Sequence, residues 1–227
     1  MNMHHIIITG ASRGIGHATA LLYASMGWNI SICSRHCDYQ MTQTQDAITA
    51  AGGQYFSFCG DMGNAADAEE FLAKAVRTFG TPEILVNNAG ISHIGLLQDM
   101  TPMQWDDIIR TNLSSVFYTS RVIIPYFLQE KHGRIINVSS VWGSVGASTE
   151  VAYSTTKGGI NAFTKALAKE LAPSGIPVNA VACGMIDTSM NSFLDPEELA
   201  AVIDEIPAGR AGTPQEAAAL IRQVAEA

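Results

Sequence analysis

The sequence predicts an α/β fold built on a doubly wound parallel sheet, and three observations lead to that prediction. Short apolar runs alternate with longer segments whose apolar residues recur at helical spacing. The short runs are almost continuously apolar, which is typical of strands that are buried on both faces of a parallel sheet. The alternation of strand and helix along the chain predicts right-handed crossovers between parallel neighbours.

Six apolar runs predict strands, and the helical patterns follow them in strict order. A further segment, Ile186–Ile206, carries apolar residues at helical spacing and is expected to form a helical flap over the carboxyl ends of the strands. The strands are predicted at His4–Ile8, Trp28–Cys33, Gln54–Cys59, Ile84–Asn87, Arg134–Ser139 and Pro177–Ala182. The helices are predicted at Ile15–Met26, Tyr39–Ala51, Ala65–Phe79, Pro102–Gln129, Ala152–Ala172 and Pro214–Ala225.

The bulk composition bounds the class of protein. With 227 residues, 47% of them hydrophobic, residues 1–227 are expected to form a single domain. A formal charge of -8 argues against nucleic acid or an anionic membrane as a partner. No run of 18 apolar residues and no signal-peptide layout is present, and the four cysteines lack zinc-site spacing. We therefore expect a cytoplasmic protein with free thiols and no metal site.

A glycine-rich loop, Thr9–Gly16, follows the first strand and opens the first helix. Ligands of open α/β sheets bind at the carboxyl ends of strands, where a helix N-terminus offers free N–H groups to a pyrophosphate. Gly10 allows a tight turn, whereas Gly14 and Gly16 permit close approach of the backbone. Such a loop alone is also compatible with a plain strand–helix turn. Its place after strand one favours a dinucleotide site in a Rossmann-type, three-layer fold.

The end of the second strand selects the form of the dinucleotide. An NAD site places a carboxylate there for the ribose 2′-hydroxyl, but here Arg35 ends the strand and no acid occurs before Asp38. Arg13 and Arg35 would suit a 2′-phosphate, which guanidinium groups bind in bidentate fashion. NADP(H) is therefore the expected cofactor. Asp61, after strand three, has two interpretations, an acceptor for the adenine amino group or a helix cap.

Tyr153 and Lys157 are four residues apart in a predicted helix. Residues at this spacing lie on one helix face. A nearby ammonium is expected to lower the tyrosine pKa from about 10, so that the phenol exchanges a proton near neutral pH. Taken alone, such a pair is more often part of an ordinary helix surface than a catalytic pair, so other motifs must decide between the two interpretations.

Those motifs occur together and in one order along the chain. They resemble the short-chain dehydrogenase/reductase family over Ile6–Gly212, and within it the β-ketoacyl-acyl-carrier-protein reductases. The family resemblance rests on Thr9–Gly16, Asn87–Gly90, Asn112, the Ser139-Ser140 pair, Tyr153, Lys157 and Asn179; the subgroup resemblance rests on Gly133–Ser140 and Ile206–Arg210.

The resemblance implies a role for each matching residue. Tyr153 would be the general acid, Lys157 would lower its pKa and hold the nicotinamide ribose, and Ser140 would bind the substrate oxygen, with Ser139 as a rival. Asn112 would support a water chain that resupplies protons through Lys157. The implied cofactor contacts are Gly10, Ser12, Arg13, Gly14, Ile15, Gly16, Arg35, Asp61, Met62, Asn88, Ala89, Gly90, Tyr153, Lys157, Ile186 and Thr188.

The implied reaction is the NADPH-dependent reduction of a 3-oxoacyl thioester, with acyl carrier protein as a possible partner. Another carbonyl substrate, such as a small ketone, sugar or steroid, and a non-catalytic nucleotide-binding protein remain alternatives. Trp142 is compatible with a pocket wall or with a core aromatic. The flap residues Met185, Met190, Phe193 and Leu194 favour packing over substrate contact, although an apolar flap would suit an acyl chain.

Three departures from the family pattern bear on these expectations. Cys183-Gly184 stands where the family usually has Pro-Gly, which leaves a thiol near the expected nicotinamide site. The chain ends after the helix at Pro214–Ala225, so a final strand is expected to be missing and one sheet edge uncovered. Lys131 matches one basic carrier-docking position, but Ser174 occupies the other. A homotetramer or homodimer is expected.

Overall fold

The computed structural model describes residues 4–191 and 195–227. Its centre is a six-stranded sheet of order β3-β2-β1-β4-β5-β6 in which every neighbouring pair is parallel. The predicted fold class is confirmed. The strands are β1 (His5–Thr9), β2 (Asn29–Ser34), β3 (Gln54–Cys59), β4 (Ile84–Asn87), β5 (Arg134–Ser140) and β6 (Val178–Cys183).

The strand order reverses beside β1, which lies between β2 and β4. Crossovers leave β1 towards one side through β2 and β3, and then return to the other side through β4 to β6. The loops after β1 and β4 therefore diverge at the same edge and leave a crevice between them. In open α/β sheets this switch point is where ligands bind.

Burial follows the position of each strand in the sheet. β1, β2, β4 and nearly all of β5 are buried, as their continuous apolar runs predict. The same expectation is wrong for β3 and β6, which have exposed residues along their length. These are the two edge strands, and the helical layers cover an edge less completely than the centre of a sheet.

Helices cover both faces of the sheet and form the three layers. On one face, α1, α2 and α9 pack against side chains that include Ile6, Ile30 and Val86. On the other face, α3, α5 and α7 pack against Ile7, Leu85 and neighbouring residues. The helices are α1 (Gly14–Ser25), α2 (Tyr39–Ala50), α3 (Ala65–Phe79), α4 (Pro102–Ile109), α5 (Ser115–Glu130), α6 (Trp142–Val145), α7 (Val151–Leu171), α8 (Pro196–Asp204) and α9 (Pro214–Glu226).

The predicted helix Pro102–Gln129 is not continuous. A π-helical turn, Arg110–Ser114, separates α4 from α5 and contains Asn112. The expectation that Asn112 lies in the interior of one regular helix is therefore wrong. π turns occur as single widened turns within α-helices, frequently at functional sites.

The flap predicted at Ile186–Ile206 contains a short 3₁₀ turn and α8, which begins at an Asp195 capping box. Gly212 anchors the start of the flap, because its N–H donates to Met185 O at 2.9 Å and its carbonyl accepts from Asp187 N at 2.8 Å. Phe193 and Leu194, for which flap packing was expected, lie outside the described residues.

Within the described ranges, no helix combines the length and apolar character needed to cross a membrane. The same residues contain no cluster of three or more His, Cys, Asp or Glu side chains that could hold a metal ion.

Candidate active site

Two adjoining cavities lie at the carboxyl edge of the sheet. The first, here the tyrosine cavity, has a volume of ≈ 400 Å³ and is lined by Ser140, Tyr153 and Lys157. The second, the glycine-loop cavity, has a volume of ≈ 520 Å³ and is lined by the loop after β1 and by the end of β2. Ile15, Asn88, Gly90, Ser92, Thr188 and Met190 line both cavities, so one continuous cleft joins them.

Tyr153 and Lys157 lie in the first two turns of α7, as predicted. The Lys157 side chain is buried, and its Nζ donates to Val138 O at 2.9 Å. The same Nζ lies 5.5 Å from the centroid of the Tyr153 ring. The Tyr153 hydroxyl shares a hydrogen bond with Ser140. The phenol and the ammonium thus face one cavity, with the ammonium beneath the phenol ring.

Burial dominates the pKa values of this pair. It raises the pKa of Tyr153 to about 12; the Ser140 hydrogen bond acts in the opposite direction, and the charge of Glu150 adds to the rise. Burial also lowers the pKa of Lys157 to about 8. The expectation that Lys157 lowers the tyrosine pKa is therefore wrong for this structure. The physical reason is that desolvation of the phenolate outweighs an ammonium whose hydrogen bond goes to Val138 O.

The two neighbouring serines at the end of β5 have different hydrogen-bond partners. Ser139 Oγ donates to Asn161 Oδ1 at 2.7 Å and lies 3.2 Å from a second acceptor, Lys157 O, so it is held against α7. Ser140 Oγ instead accepts from Trp142 N at 3.2 Å and contacts the Tyr153 hydroxyl. Alternate residues of a strand point to opposite faces, which explains the division. Of the two rivals, Ser140 is the one beside the tyrosine.

Asn112 lies behind the cleft and lines neither cavity. Its Oδ1 accepts from Ile91 N at 2.8 Å, and its Nδ2 donates to Ile91 O at 2.8 Å and to Thr156 Oγ1 at 3.2 Å. Because Thr156 precedes Lys157 in α7, the amide ties the loop after β4 to the helix that carries the tyrosine–lysine pair.

The glycine loop packs closely against the loop after β4. Gly10 has φ +65°, and a Cβ there would lie 2.7 Å from the backbone Cα of Ala89. Gly16, which lines neither cavity, lies so close to the loop that its Cβ would be 2.5 Å from Gly10 O. The close approach predicted for Gly16 is confirmed, and the positive φ of Gly10 fits the tight turn predicted there.

Asn88 fastens these two loops through its side chain, a contact that sequence reasoning missed. Its Nδ2 donates to Thr9 O at 3.0 Å and to Gly10 O at 2.8 Å. In return, Thr9 Oγ1 accepts from the backbone N–H groups of Asn88 and Ala89, each at 3.0 Å. The loop after β1 is therefore held in a fixed shape at the switch point of the sheet.

Both predicted arginines reach the glycine-loop cavity. Arg13 Nη1 donates to Gln40 Oε1 at 3.2 Å. Arg35 Nη2 donates to Thr111 Oγ1 at 2.5 Å and forms ion pairs with Asp61 at 3.3 Å and Asp107 at 3.5 Å. Two carboxylates thus share the Arg35 charge, an arrangement that depends on α4 and could not be read from the end of β2.

Asp61 is not a helix cap, which removes one of its two interpretations. The cap of α3 is Asn64, whose side chain accepts from the N–H groups of Ala66 and Asp67. Asp61 Oδ1 accepts from Gly63 N at 2.9 Å and, with Met62, lines the glycine-loop cavity. Asp38, the first acid after β2, caps α2 through Gln40 N and Met41 N.

The far wall of the cleft comes from the flap and from β6. Thr188 and Ile186 line the tyrosine cavity, and Thr188 Cγ2 would lie 3.3 Å from a Cβ on Gly14. Trp142 and Cys183 also line this cavity, which makes Trp142 a cavity wall rather than a core aromatic. Burial raises the pKa of the Cys183 thiol, and the charge of Lys157 acts against that rise.

The comparisons with known proteins agree on one family. The family described as short chain dehydrogenase matches residues 4–199. The chain belongs to this family. It is 39% identical to the 3-oxoacyl-[acyl-carrier-protein] reductase FabG of Escherichia coli (strain K12) over 212 residues, which are 93% of this chain and 85% of that protein. This chain is also 37% identical to a 3-oxoacyl-[acyl-carrier-protein] reductase FabG of Vibrio cholerae, over 95% of this chain and 86% of that protein. It is 37% identical to a 3-oxoacyl-[acyl-carrier-protein] reductase of Synechocystis, over 96% of this chain and 87% of that protein.

As a short-chain dehydrogenase, the protein is an oxidoreductase of a family that uses a nicotinamide cofactor. The residues at the cleft fit such a group. The N-cap residue of α1, Arg13, forms no side-chain cap, and the first turn of the helix carries no acid. Its N–H groups therefore stay available to a pyrophosphate at the positive end of the helix dipole. The tyrosine cavity adjoins the cavity that contains this helix N-terminus.

Proposed function

We propose that this short-chain dehydrogenase uses NADPH to reduce a 3-oxoacyl thioester to the 3-hydroxyacyl thioester. The observation that carries the proposal is the convergence of the Ser140 and Tyr153 hydroxyls in one cavity that adjoins the glycine loop. The choice of thioester draws support from relatives at 37–39% identity whose names state 3-oxoacyl-[acyl-carrier-protein] reductase.

In the proposed reaction, Ser140 and Tyr153 both donate to the carbonyl oxygen of the substrate. Bound NADPH supplies the hydride that adds to the carbonyl carbon. As negative charge develops on the oxygen, two fixed donors stabilise the transition state more than the ground state. Tyr153 then gives its proton to the oxygen. A pKa of about 12 keeps the phenol protonated at neutral pH, and a phenol is more acidic than the alcohol that forms, so the transfer is downhill.

Lys157 supplies positive charge beneath this site and a route for proton return. Its ammonium has a pKa of about 8, close enough to neutrality to release and regain a proton. We assign it the nicotinamide ribose hydroxyls as partners. Asn112 acts behind it, because it holds the Ile91 loop and Thr156 in place beside the lysine.

The preference for NADPH rests on Arg13 and Arg35 in the glycine-loop cavity. A 2′-phosphate would accept from both guanidinium groups. It would also compete with Asp61 and Asp107 for Arg35, so the preference for NADPH over NADH is expected to be weaker than an unpaired arginine would give. Asp61 stays a proposed acceptor for the adenine amino group.

The acyl carrier protein is proposed as the partner from the names of the relatives, with exposed Lys131 as one docking residue. A homotetramer or homodimer is proposed as the assembly of this domain, which we take to span residues 1–227. The exposed apolar side chains Phe117 and Leu128 on α5, 48% and 42% exposed, support an interface on this helix.

A second candidate, the reduction of a polar ketone, is favoured by one observation. Glu150 lines the tyrosine cavity, and its carboxylate would give the hydroxyl group of a small ketone or sugar an acceptor.

Steady-state kinetics with acetoacetyl-N-acetylcysteamine and a panel of small ketones test the proposal. Oxidation of NADPH with the thioester, formation of the 3-hydroxy product and lower kcat/KM with NADH are the expected results. Turnover of a ketone without turnover of any 3-oxoacyl thioester would favour the second candidate. Equal or better use of NADH would overturn the roles of Arg13 and Arg35.

A further inference from the structure

Glu150 is an acid in the tyrosine cavity for which the proposed reaction has no use. It occupies the N-cap position of α7, but its side chain forms no hydrogen bond to the helix. The half-buried residue lines the cavity, and its carboxylate accepts a hydrogen bond from the side chain of Trp142, which also lines the cavity. Tyr153, one helical turn later, feels its negative charge.

The carboxylate has capacity for further donors. An ionised carboxylate offers about four lone-pair sites, and the Trp142 indole occupies one of them. Burial without enough donors destabilises the charge, and it accordingly raises the pKa of Glu150. A ligand that brings an N–H or O–H group to this point would therefore be stabilised, whereas an anion would be repelled.

The charges around the cavity reinforce this selectivity. Among the described residues that line it, the ionisable groups are Glu150, Tyr153, Lys157, Cys183 and Glu198. Glu198 already accepts from Asp195 N in the capping box of α8. Lys157, the one cation of this set, is buried and donates to Val138 O. Two glutamates thus line the cavity, and the carboxylate of Glu198 is already engaged in the capping box.

We propose that Glu150 determines substrate specificity: it accepts a hydrogen bond from an amide N–H of a neutral thioester substrate and excludes free 3-oxo acids. In a carrier-borne or cysteamine thioester the amide lies a few bonds beyond the sulfur, within reach of a group beside the reacting carbonyl. This inference rests on the proposed function, because it takes the tyrosine cavity as the site that holds the carbonyl.

The test compares wild type with Glu150→Gln, which keeps the size and an oxygen for the Trp142 indole but removes the charge. Glu69→Gln, at an exposed position on α3 outside both cavities, is the matched control for loss of one negative charge. The substrates are acetoacetyl-N-acetylcysteamine, ethyl acetoacetate, which has no donor, and acetoacetate, which is an anion.

The wild type should prefer the amide thioester to acetoacetate by about 100-fold or more in kcat/KM. Glu150→Gln should raise kcat/KM for acetoacetate about tenfold and should change it for ethyl acetoacetate by less than about threefold. Glu69→Gln should behave as wild type. Unchanged use of acetoacetate by Glu150→Gln would overturn the inference.

A pH profile separates a charge effect from a structural one. The raised pKa means that Glu150 becomes neutral at a higher pH than an ordinary glutamate, so wild-type activity on acetoacetate should rise as the pH is lowered, and the rise should begin at a higher pH than an ordinary glutamate would give. Tyr153, Lys157, Cys183 and Glu198 face the same volume and are present in both proteins. If the rise persists in Glu150→Gln, another group causes it and the inference is wrong.

A binding experiment keeps this inference separate from the proposed reaction. If no 3-oxo compound oxidises NADPH, the proposed function fails, and calorimetry with hexanamide and hexanoate in the presence of NADP⁺ still tests Glu150. Wild type should bind the amide about tenfold more tightly than the anion, and Glu150→Gln should narrow that difference. Equal binding of the two ligands by wild type would overturn the role of Glu150.

Discussion

At the residue scale, two neighbouring serines at the end of β5 have the same chemistry but different contacts. Ser139 is held by Asn161 and by the backbone of α7, whereas Ser140 contacts the tyrosine. The proposed reaction uses the second hydroxyl as a donor to the developing oxyanion, and it uses the first only to hold the strand against the helix.

Ser140→Ala should lower kcat by about 10²-fold, because a donor to the oxyanion is lost. Ser139→Ala should leave kcat within about threefold and lower the free energy of unfolding by about 1–3 kcal/mol, since Asn161 Oδ1 loses its donor. Steady-state kinetics and urea denaturation of both variants measure these effects. The reverse assignment of the two serines would follow if Ser139→Ala were the slow enzyme.

The titration of Lys157 gives a second prediction. Its lowered pKa means that the ammonium is lost in the folded enzyme as the pH rises through about 8. For the reduction, kcat/KM should be flat below that pH and fall above it, because kcat/KM reports the free enzyme. Lys157→Arg stays charged and should lack this limb. A fall at the same pH in Lys157→Arg would assign the limb to another group.

The lowered pKa of Lys157 also affects stability, which should rise with pH whereas kcat/KM falls. Between about 8 and the ordinary lysine value of 10.5, the unfolded chain binds more protons at Lys157 than the folded protein does. Stability contributed by this residue should therefore rise with pH across that interval.

At the scale of elements, the π turn between α4 and α5 connects the two sides of the cleft. Asn112 forms three hydrogen bonds from this turn, two to Ile91 and one to Thr156. The Asn112 side chain itself is fully buried, so the fold holds the amide firmly against both partners.

Asn112→Ala should lower the free energy of unfolding by about 2–3 kcal/mol, because three hydrogen bonds of a buried amide are lost, and it should lower kcat as the Ile91 loop loosens. Asn64→Ala, which removes the cap of α3, should cost about 1 kcal/mol and leave kcat unchanged. Chemical denaturation and kinetics compare the two. Equal kcat in both variants would contradict a positioning role for Asn112.

The contact between α1 and α9 contains a buried polar group without a partner in the described part of the chain. Among buried side-chain polar atoms of the described residues, the Tyr23 hydroxyl alone has no hydrogen-bond partner, and burial raises the pKa of Tyr23 to about 12. Tyr23→Phe should raise the free energy of unfolding by about 1 kcal/mol, since an unpaired buried hydroxyl is removed.

Thermal and urea denaturation measure this change, with Tyr39→Phe as control. Tyr39 is 74% exposed, so its hydroxyl is solvated in both states and its removal should have no effect. A loss of stability in Tyr23→Phe would mean that the hydroxyl has a partner after all.

At the scale of the whole molecule, the sequence predicts the architecture well and the site unevenly. Local periodicity is enough to locate strands such as β3 and β4 to the residue, and family order brings Ser140, Tyr153 and Lys157 to one edge. The predicted direction of the Tyr153 pKa shift is wrong. The direction depends on burial, and the spacing of residues on a helix face does not predict burial.

The other features that the sequence did not predict are contacts between distant segments. The π turn, the Asn88 clamp on the glycine loop and the carboxylates around Arg35 each join residues more than twenty positions apart. Glu150 had one local signal, an acid three residues before the tyrosine, but only the fold shows that this residue lines the cavity. Short-range patterns carry no information on such pairings.

The central claim is that Tyr153 transfers a proton to a substrate carbonyl beside bound NADPH. Rapid mixing of the enzyme–NADPH complex with acetoacetyl-N-acetylcysteamine, followed by nicotinamide fluorescence, tests it most directly. Wild type should oxidise the bound cofactor in a single turnover, while Tyr153→Phe should bind NADPH with similar affinity and oxidise it at least about 10²-fold more slowly. Oxidation by Tyr153→Phe at a rate close to that of wild type would contradict the claim.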